Sequence, residues 1–315
     1  MTPDPLGDRA RLAVDPVFVR DQIARFLAED VGVGDVTTSV VVPAAATAEG
    51  RIVSREACVV AGLDLVREVF AQIDTRVVVT PKAADGDAVP AGRTLVELAG
   101  PAAAMLTGER VALNVLQRLS GIATITRRYV EAIAGTGATV SDTRKTTPGL
   151  RLLEKYAVQA GGGRNHRIGL FDAILVKDNH IVAAGGLDAA MGALGRGRVD
   201  VPVQVEVDSL EQLRAVIRAG VRAVLLDNMT PAVVAEAVRI VRDAPGGASC
   251  WIEASGGITL VTVRAYAEAG VDTISVGALT HSAPSVDLAM DFDASRPPHA
   301  PAPRAAGPHA DFQAG

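Results

Sequence analysis

The sequence predicts an α/β chain: a small mixed α/β region, then a closed or nearly closed β/α barrel. Three observations carry this. Six short β-rich runs alternate with helical segments between Gly137 and Val276. The runs are apolar on both faces, as parallel strands covered by helices on both sides must be. Helical runs end at Gly220 and Gly270, and a valine follows each at once. Six units in about 150 residues fall short of the usual eight in about 250.

The first helix opens at Asp15-Pro16, a cap followed by proline at the first helical position. Val19, Ile23, Phe26 and Leu27 then recur at helical spacing. Gly34 to Thr38 reads as a loop. Residues 48–98 turn to a strand pattern at 51–60, 76–80 and 93–98, separated by turns such as Asp85-Gly86-Asp87. A lysine-bearing carrier domain has a similar pattern, but Lys82 lacks the Met-Lys-Met hairpin of such domains.

A long helix follows Gly100-Pro101. Ala112, Leu116, Leu119 and Ala123 form its apolar stripe, and Arg110, Asn114, Gln117 and Gly121 a polar one. One charge is fewer than a solvated stripe normally carries, so this face is expected to border a site or a subunit contact. The barrel strands are expected at 139–141, 173–176, 203–207, 223–226, 251–253 and 273–276. Helices are expected at 150–159, 210–219, 231–242 and 260–269.

Bulk composition sets the limits. The 315 residues are 49% hydrophobic but only 3% aromatic, so aliphatic side chains must fill the core. A formal charge of -5 and a pI near 5.6 argue against nucleic acid as the main partner. Cys58 and Cys250 form no metal-binding or disulfide pattern, and a reducing cytoplasm fits them. No apolar run approaches the roughly 20 residues that span a bilayer. Met1 to Ala13 lacks the order of a signal peptide. Residues 296–315, with five prolines, read as a disordered tail.

The chemistry concentrates at the strand ends, where β/α barrels place their catalytic groups. In chain order the ends carry Asp142, Arg144 and Lys145; Lys177 to His180; Glu206 and Asp208; Asp227 and Asn228; Glu253, Ser255, Gly256 and Gly257; and Gly277. A lone aspartate at a strand end is often a helix cap. Six polar ends with both signs of charge require a site at the rim. Residues 141–180 hold seven Lys or Arg against four Asp or Glu, inside an acidic chain. That excess indicates a small polyanion. Ser255-Gly256-Gly257 and Gly277 are the turns after the last two strands, where barrels commonly hold a phosphate. Glu206 and Asp227 end neighbouring strands and invite Mg²⁺, or salt bridges to Lys145 or Lys177. Arg110, Arg144, Lys145, His166, Arg167 and Lys177 exceed what one monophosphate requires.

These residues resemble the quinolinate phosphoribosyltransferase family. The matching stretches are G-D-V-T-T at Gly34, G-E-R-V-A-L-N-V-L-Q-R-L-S-G-I-A-T at Gly108 and D-T-R-K-T-T-P-G-L-R at Asp142. They continue with G-G-G-R-N-H-R-I-G-L at Gly161, L-V-K-D-N-H-I at Leu175 and V-E-V at Val205. L-L-D-N-M at Leu225, E-A-S-G-G-I at Glu253 and S-V-G-A-L-T-H-S at Ser275 complete the set.

The resemblance implies an N-terminal open-faced α/β sandwich over residues 1–112, joined by 283–295, and an incomplete β/α (TIM-like) barrel over 113–282. It implies a homodimer in which Arg110 enters the partner's site. It implies the Mg²⁺-dependent reaction of quinolinate with phosphoribosyl pyrophosphate in NAD biosynthesis, giving nicotinate mononucleotide, pyrophosphate and CO₂. By the same carry-over, Arg144, His166, Arg167 and Lys177 hold quinolinate. Lys145, Glu206 and Asp227 surround the phosphoribosyl group and metal, and Ser255, Gly256, Gly257 and Gly277 take the 5′-phosphate. The implied catalytic set is Lys145, Lys177, Glu206 and Asp227.

Three rivals stand beside this. One is a paralogue of the type associated with molybdate transport genes, with another anionic acceptor. Another is a Schiff-base lyase using Lys177 or Lys145. The third is a non-catalytic ligand sensor or structural dimer, which would not need the full charged inventory.

Overall fold

The structure is a computed structural model that describes residues 14–196 and 200–292. The N-terminal segment 1–13 and the proline-rich segment 296–315 lie outside the described residues.

Asp15 caps α1 (Pro16–Asp30), its carboxylate accepting the Val17 N–H at 2.8 Å. The expected loop at Gly34 continues instead into a short helix, α2 (Val36–Val41). Asp35 caps it, accepting the Thr38 N–H at 2.9 Å and its hydroxyl at 2.6 Å. These hydrogen bonds and Thr107 hold the Asp35 carboxyl below the usual carboxylate range, against a smaller opposing effect of desolvation.

The expected strand at 51–60 is two strands, β1 (Thr47–Ser54) and β2 (Cys58–Val59). Then comes α3 (Leu63–Ile73), a helix inside the stretch read as strands. Leu63, Val66, Val69 and Phe70 line its buried face at helical spacing. β3 (Val78–Pro81), β4 (Ala88–Val89) and β5 (Thr94–Pro101) follow. With β12 (Leu288–Phe292) from the far end of the chain, the four-stranded sheet has the order β12-β1-β5-β3 and is antiparallel throughout. Ile52, Leu95, Val96 and Leu98 are buried, while Arg51, Glu97 and Asp291 carry charges at its surface. Arg51 and Arg55 pair with Asp291, and Lys82 with Glu97.

The helix α4 (Ala102–Ala132) is about 46 Å long at 1.5 Å per residue. The division expected at 112/113 falls inside it. Its apolar stripe is buried as expected: Ala112, Leu116, Leu119 and Ala123 are at most 2% exposed. Its polar stripe divides. Arg110 and Asn114 are exposed, whereas Gln117 and Gly121 receive the returning C-terminal chain. Gln117 donates to the Leu288 carbonyl at 2.9 Å and accepts the Val286 N–H at 3.2 Å.

The barrel runs β6 (Thr139–Ser141), α5 (Arg151–Ala160), β7 (Ile174–Val176), α6 (Asp178–Ala184), α7 (Leu187–Arg196), β8 (Val203–Val207), α8 (Leu210–Arg218) and β9 (Ala223–Asp227). It continues with α9 (Pro231–Asp243), β10 (Trp251–Ser255), α10 (Val263–Glu268), β11 (Thr273–Ser275) and α11 (Ala278–His281). The chain then returns to the N-terminal sheet as β12 (Leu288–Phe292). The order β6-β11-β10-β9-β8-β7 is that of a barrel open at one seam, since β6 pairs with the last strand and not with β7. The segment after α5 lies along β6 there. Arg164 N–H donates to the Val140 carbonyl at 2.8 Å, and Asp142 N–H to the Arg164 carbonyl at 3.1 Å.

Gly121 marks the tightest junction between the two regions. A Cβ placed there would lie 2.0 Å from the Pro284 carbonyl oxygen. Backbone cannot yield as a side-chain tip can, so Gly121→Ala is expected to cost about 1–3 kcal/mol or more. Urea denaturation checks this, and an unchanged midpoint would show that the returning chain is not tightly seated.

Candidate active site

A cavity of about 570 Å³ opens at the carboxyl ends of the barrel strands. That volume suits a ligand larger than a simple ion. Arg144, Lys145, His166, Arg167, Lys177, Glu206, Asp227, Ser255, Gly256, Gly257 and Gly277 all line it. Arg110 does not, and it lies exposed on α4. A second cavity of about 280 Å³ between α1, α4 and α5 has none of the strand-end groups on its wall.

The first strand end is built on a buried carboxylate. Asp142 is fully buried and points away from the cavity lining. Its oxygens accept Lys155 Nζ at 2.5 Å, Asn165 Nδ2 at 2.6 Å and the His166 N–H at 2.9 Å. Lys155 also donates to the His166 carbonyl at 3.0 Å. Burial pushes the Asp142 carboxyl up, while Lys155 and the other donors oppose it. Three donors and no acceptor surround it, so the geometry is built for the ionised form.

The loop after β6 is clamped from behind by another buried carboxylate, Glu154. It accepts the Thr147 N–H at 3.1 Å, the Thr147 hydroxyl at 2.8 Å and Arg118 Nη2 at 2.7 Å. Arg118 reaches on from α4 to the carbonyls of Thr280 and Ala283. The Thr280 hydroxyl donates to the Lys145 carbonyl at 2.7 Å. Arg144 and Lys145 are thereby presented from a backbone held on both sides.

Two arginines, Arg144 and Arg167, line the cavity. Burial lowers the Arg167 pKa, and so does the charge of Arg144; Asp172 and Glu206 oppose both. Arg144 Nε is buried without a hydrogen-bond partner. An anion with two carboxylates would satisfy this pair of forks. Lys177 ends β7 and caps α6, and its Nζ lies 2.6 Å from Glu206 Oε2. The salt bridge left open by the sequence therefore forms with Lys177.

His166 lines the cavity, yet its ring nitrogens face inward. Nδ1 accepts the Arg167 N–H at 2.8 Å. Nε2 lies 3.4 Å from Glu253 Oε2, without the alignment of a hydrogen bond. Burial disfavours the imidazolium and Glu253 favours it, the balance raising the His166 pKa. The hydrogen bond opposes that balance and decides it. A second proton would have to occupy Nδ1, where Arg167 already donates.

The helix expected at 260–269 is shorter: α10 begins only at Val263, after a turn at Thr259–Thr262 closed by hydrogen bonds. Close approach still requires glycine at 256: φ is +95°, and a Cβ would meet Asn228 Oδ1 at 2.2 Å. Gly277 sits at the start of α11, with Lys145 and His281 beside it.

Sequence reasoning named Glu253 as a strand end but gave it no role. It lies on the same side of β10 as Ser255, two residues deeper, where strand alternation could have placed it. Ser275, Thr143 and His281 also line the cavity. Lys155 and Glu154 sit one turn before buried Val158 and Ala157, which marks both as charges on the core face.

Glu154→Gln keeps the shape of the clamp but sets an amide N–H₂ against donors and leaves Arg118 without its charge partner. A loss of about 3 kcal/mol in urea denaturation is expected. Wild-type stability in that variant would show that the Thr147 loop is held by other means.

Comparisons with known proteins agree with this geometry. Residues 35–120 match the N-terminal domain of quinolinate phosphoribosyl transferase, and residues 122–291 match its C-terminal domain. The nicotinate-nucleotide pyrophosphorylase (carboxylating) of Mycobacterium leprae is 43% identical over 278 residues, covering 87% of this chain and 96% of that protein. Quinolinate phosphoribosyltransferase (decarboxylating) 1 of Nicotiana glauca is 37% identical, covering 85% of this chain and 80% of its own. The solved nicotinate-nucleotide pyrophosphorylase of Francisella tularensis superposes with a TM-score of 0.83 at 37% identity, covering 90% of this chain and 99% of that one. The chain belongs to the quinolinate phosphoribosyltransferase family.

Proposed function

We infer that the protein transfers the phosphoribosyl group of phosphoribosyl pyrophosphate to quinolinate with decarboxylation. The products are nicotinate mononucleotide, pyrophosphate and CO₂, a step of NAD biosynthesis. Family membership supports the reaction. The observation that carries the substrate class is that Arg144 and Arg167 both line the cavity, with Arg144 Nε buried and unsatisfied.

In this reading Arg144, Arg167 and Lys177 hold the two carboxylates of quinolinate and aim its ring nitrogen at the sugar. His166 borders the ring with its edge. Ser255, Gly256, Gly257 and Gly277 take the 5′-phosphate through backbone N–H groups. Lys145 neutralises the departing pyrophosphate, and Glu206 and Asp227 stabilise positive charge on the ribose. The ribosylated ring is cationic and stabilises the electron pair left on the ring carbon when CO₂ departs, and a proton from water then takes the place of the carboxylate.

Glu206 and Asp227 offer hard oxygen donors on neighbouring strands beside the same cavity. Among the described residues no three carboxylates, histidines or cysteines cluster as metal ligands. This donor set fits Mg²⁺, which takes one or two carboxylates and completes its shell with water and substrate oxygens. Bound there, Mg²⁺ supplies neutralisation of diphosphate charge.

The dimer belongs to this proposal as well. Arg110 is exposed on α4 and outside its own cavity, and a second copy of the chain would place it in the partner's site. A cytoplasmic location is supported by two buried free thiols. Among the described residues no helix is long and apolar enough to cross a membrane. The Schiff-base rival needs a free amine, whereas the Lys177 nitrogen is engaged by Glu206.

The test is an assay of purified protein with Mg²⁺, phosphoribosyl pyrophosphate and either quinolinate or nicotinate, following pyrophosphate and CO₂. Both products are expected with quinolinate, and their absence would overturn the reading. Arg144→Ala is expected to raise the quinolinate KM by about tenfold or more, or abolish turnover, while phosphoribosyl pyrophosphate still binds. Unchanged kinetics would remove Arg144 from the site.

A further inference from the structure

Glu253 is a fully buried carboxylate to which the proposed reaction assigns nothing. It sits in the middle of β10, inside the barrel, and lines the floor of the cavity. A buried anion is costly unless donors surround it. Glu253 Oε2 accepts Gln204 Nε2 at 2.9 Å, from β8 on the far side of β9, and faces His166 Nε2 at 3.4 Å. Its Oε1 is buried without a hydrogen-bond partner.

The other side of His166 gives this contact its meaning. Because Nδ1 accepts the Arg167 N–H, the ring proton is on Nε2, the side of the ring that lies 3.4 Å from the Glu253 carboxylate. The Arg167 N–H sets the tautomer, and the Glu253 charge attracts the Nε2–H and so bears on the tilt of the ring. The ring holds the backbone N–H of Arg167, a buried residue whose guanidinium donates to the Ala173 carbonyl at 3.2 Å. A chain of contacts runs from the barrel floor to one fork of the guanidinium pair.

We propose that Glu253 is a positioning residue that orients His166 and, through the Arg167 N–H, places the Arg167 guanidinium for the dicarboxylate substrate. The proposal rests on the quinolinate reading of the site. It assigns Glu253 no contact with the reacting atoms. Its effect falls on acceptor binding and not on the phosphoribosyl donor, which a general packing role would not produce.

Two measurements on the full-length protein test it. The first is nitrogen-15 NMR of histidine-labelled protein without substrate, with the His166 signal assigned by its loss in His166→Gln. The expected spectrum is that of a neutral ring protonated on Nε2. A doubly protonated ring, or a proton on Nδ1, overturns the proposal. The second is the kinetics of Glu253→Gln, which keeps shape and an acceptor oxygen but removes the charge. The quinolinate KM is expected to rise about tenfold while that of phosphoribosyl pyrophosphate stays within about twofold. An unchanged quinolinate KM, or equal changes in both, overturns it. Should Glu253→Gln fail to fold, Glu253→Asp, which draws the carboxylate back from His166, is read by the same two KM values with the same deciding outcomes. Wild-type protein that yields no product with quinolinate defeats the reading of function, and the substrate-free spectrum then judges the Glu253–His166 geometry by itself.

Discussion

The buried carboxylate of Asp142 is the constraint on which the site depends. It gathers an ammonium from α5 and two N–H donors from the segment at 165–166. The barrel is open between β6 and β7, and two backbone hydrogen bonds at Arg164 are the strand-like link between β6 and this segment. Asp142 extends that short link with its side chain. On one side of it the chain goes on to Arg144 and Lys145, and on the other to His166 and Arg167. The cations that crowd the cavity are held at fixed spacing by a charge beneath them.

Two further buried carboxylates repeat this arrangement. Glu154 ties the Thr147 loop to Arg118 on α4, the helix that also carries Arg110 and passes between the two regions. Glu253 supports His166 from the barrel floor. Buried ion pairs often add little net stability compared with apolar packing, because desolvation offsets attraction. Their use here is geometric. Arg144 and Arg167 repel one another, and only a rigid backbone keeps both at one wall before the substrate arrives.

Much of the barrel was legible because its signals are local. Apolar runs bounded by glycine, and a polar residue where each run stops, located all six parallel strands. Those strand ends also supplied every cavity residue assigned a role except His166 and Arg167, which came from the cationic stretch at 141–180. Contacts across the chain were not legible. Asp142, Lys155 and Asn165 are joined by topology alone, and nothing in their spacing announces it. α3 was hidden because its valines and leucines suit a strand as well as a helix in a stretch dominated by strands. α6 and α7 are interrupted by Gly185 and Gly186, both with positive φ, which broke the periodic signal. The inward turn of His166 depends on an N–H one residue away and a carboxylate 87 positions later, and only the fold brings these together.

The central claim is that one buried charge organises the cationic site. Asp142→Asn tests it most directly, by calorimetric titration of quinolinate alongside chemical denaturation. The change keeps the shape of the side chain but takes the carboxylate charge away from the buried Lys155 ammonium. The account predicts a loss of about 3–5 kcal/mol in stability, and quinolinate binding weakened at temperatures where the variant remains folded. A variant with wild-type stability and wild-type affinity for quinolinate would contradict it.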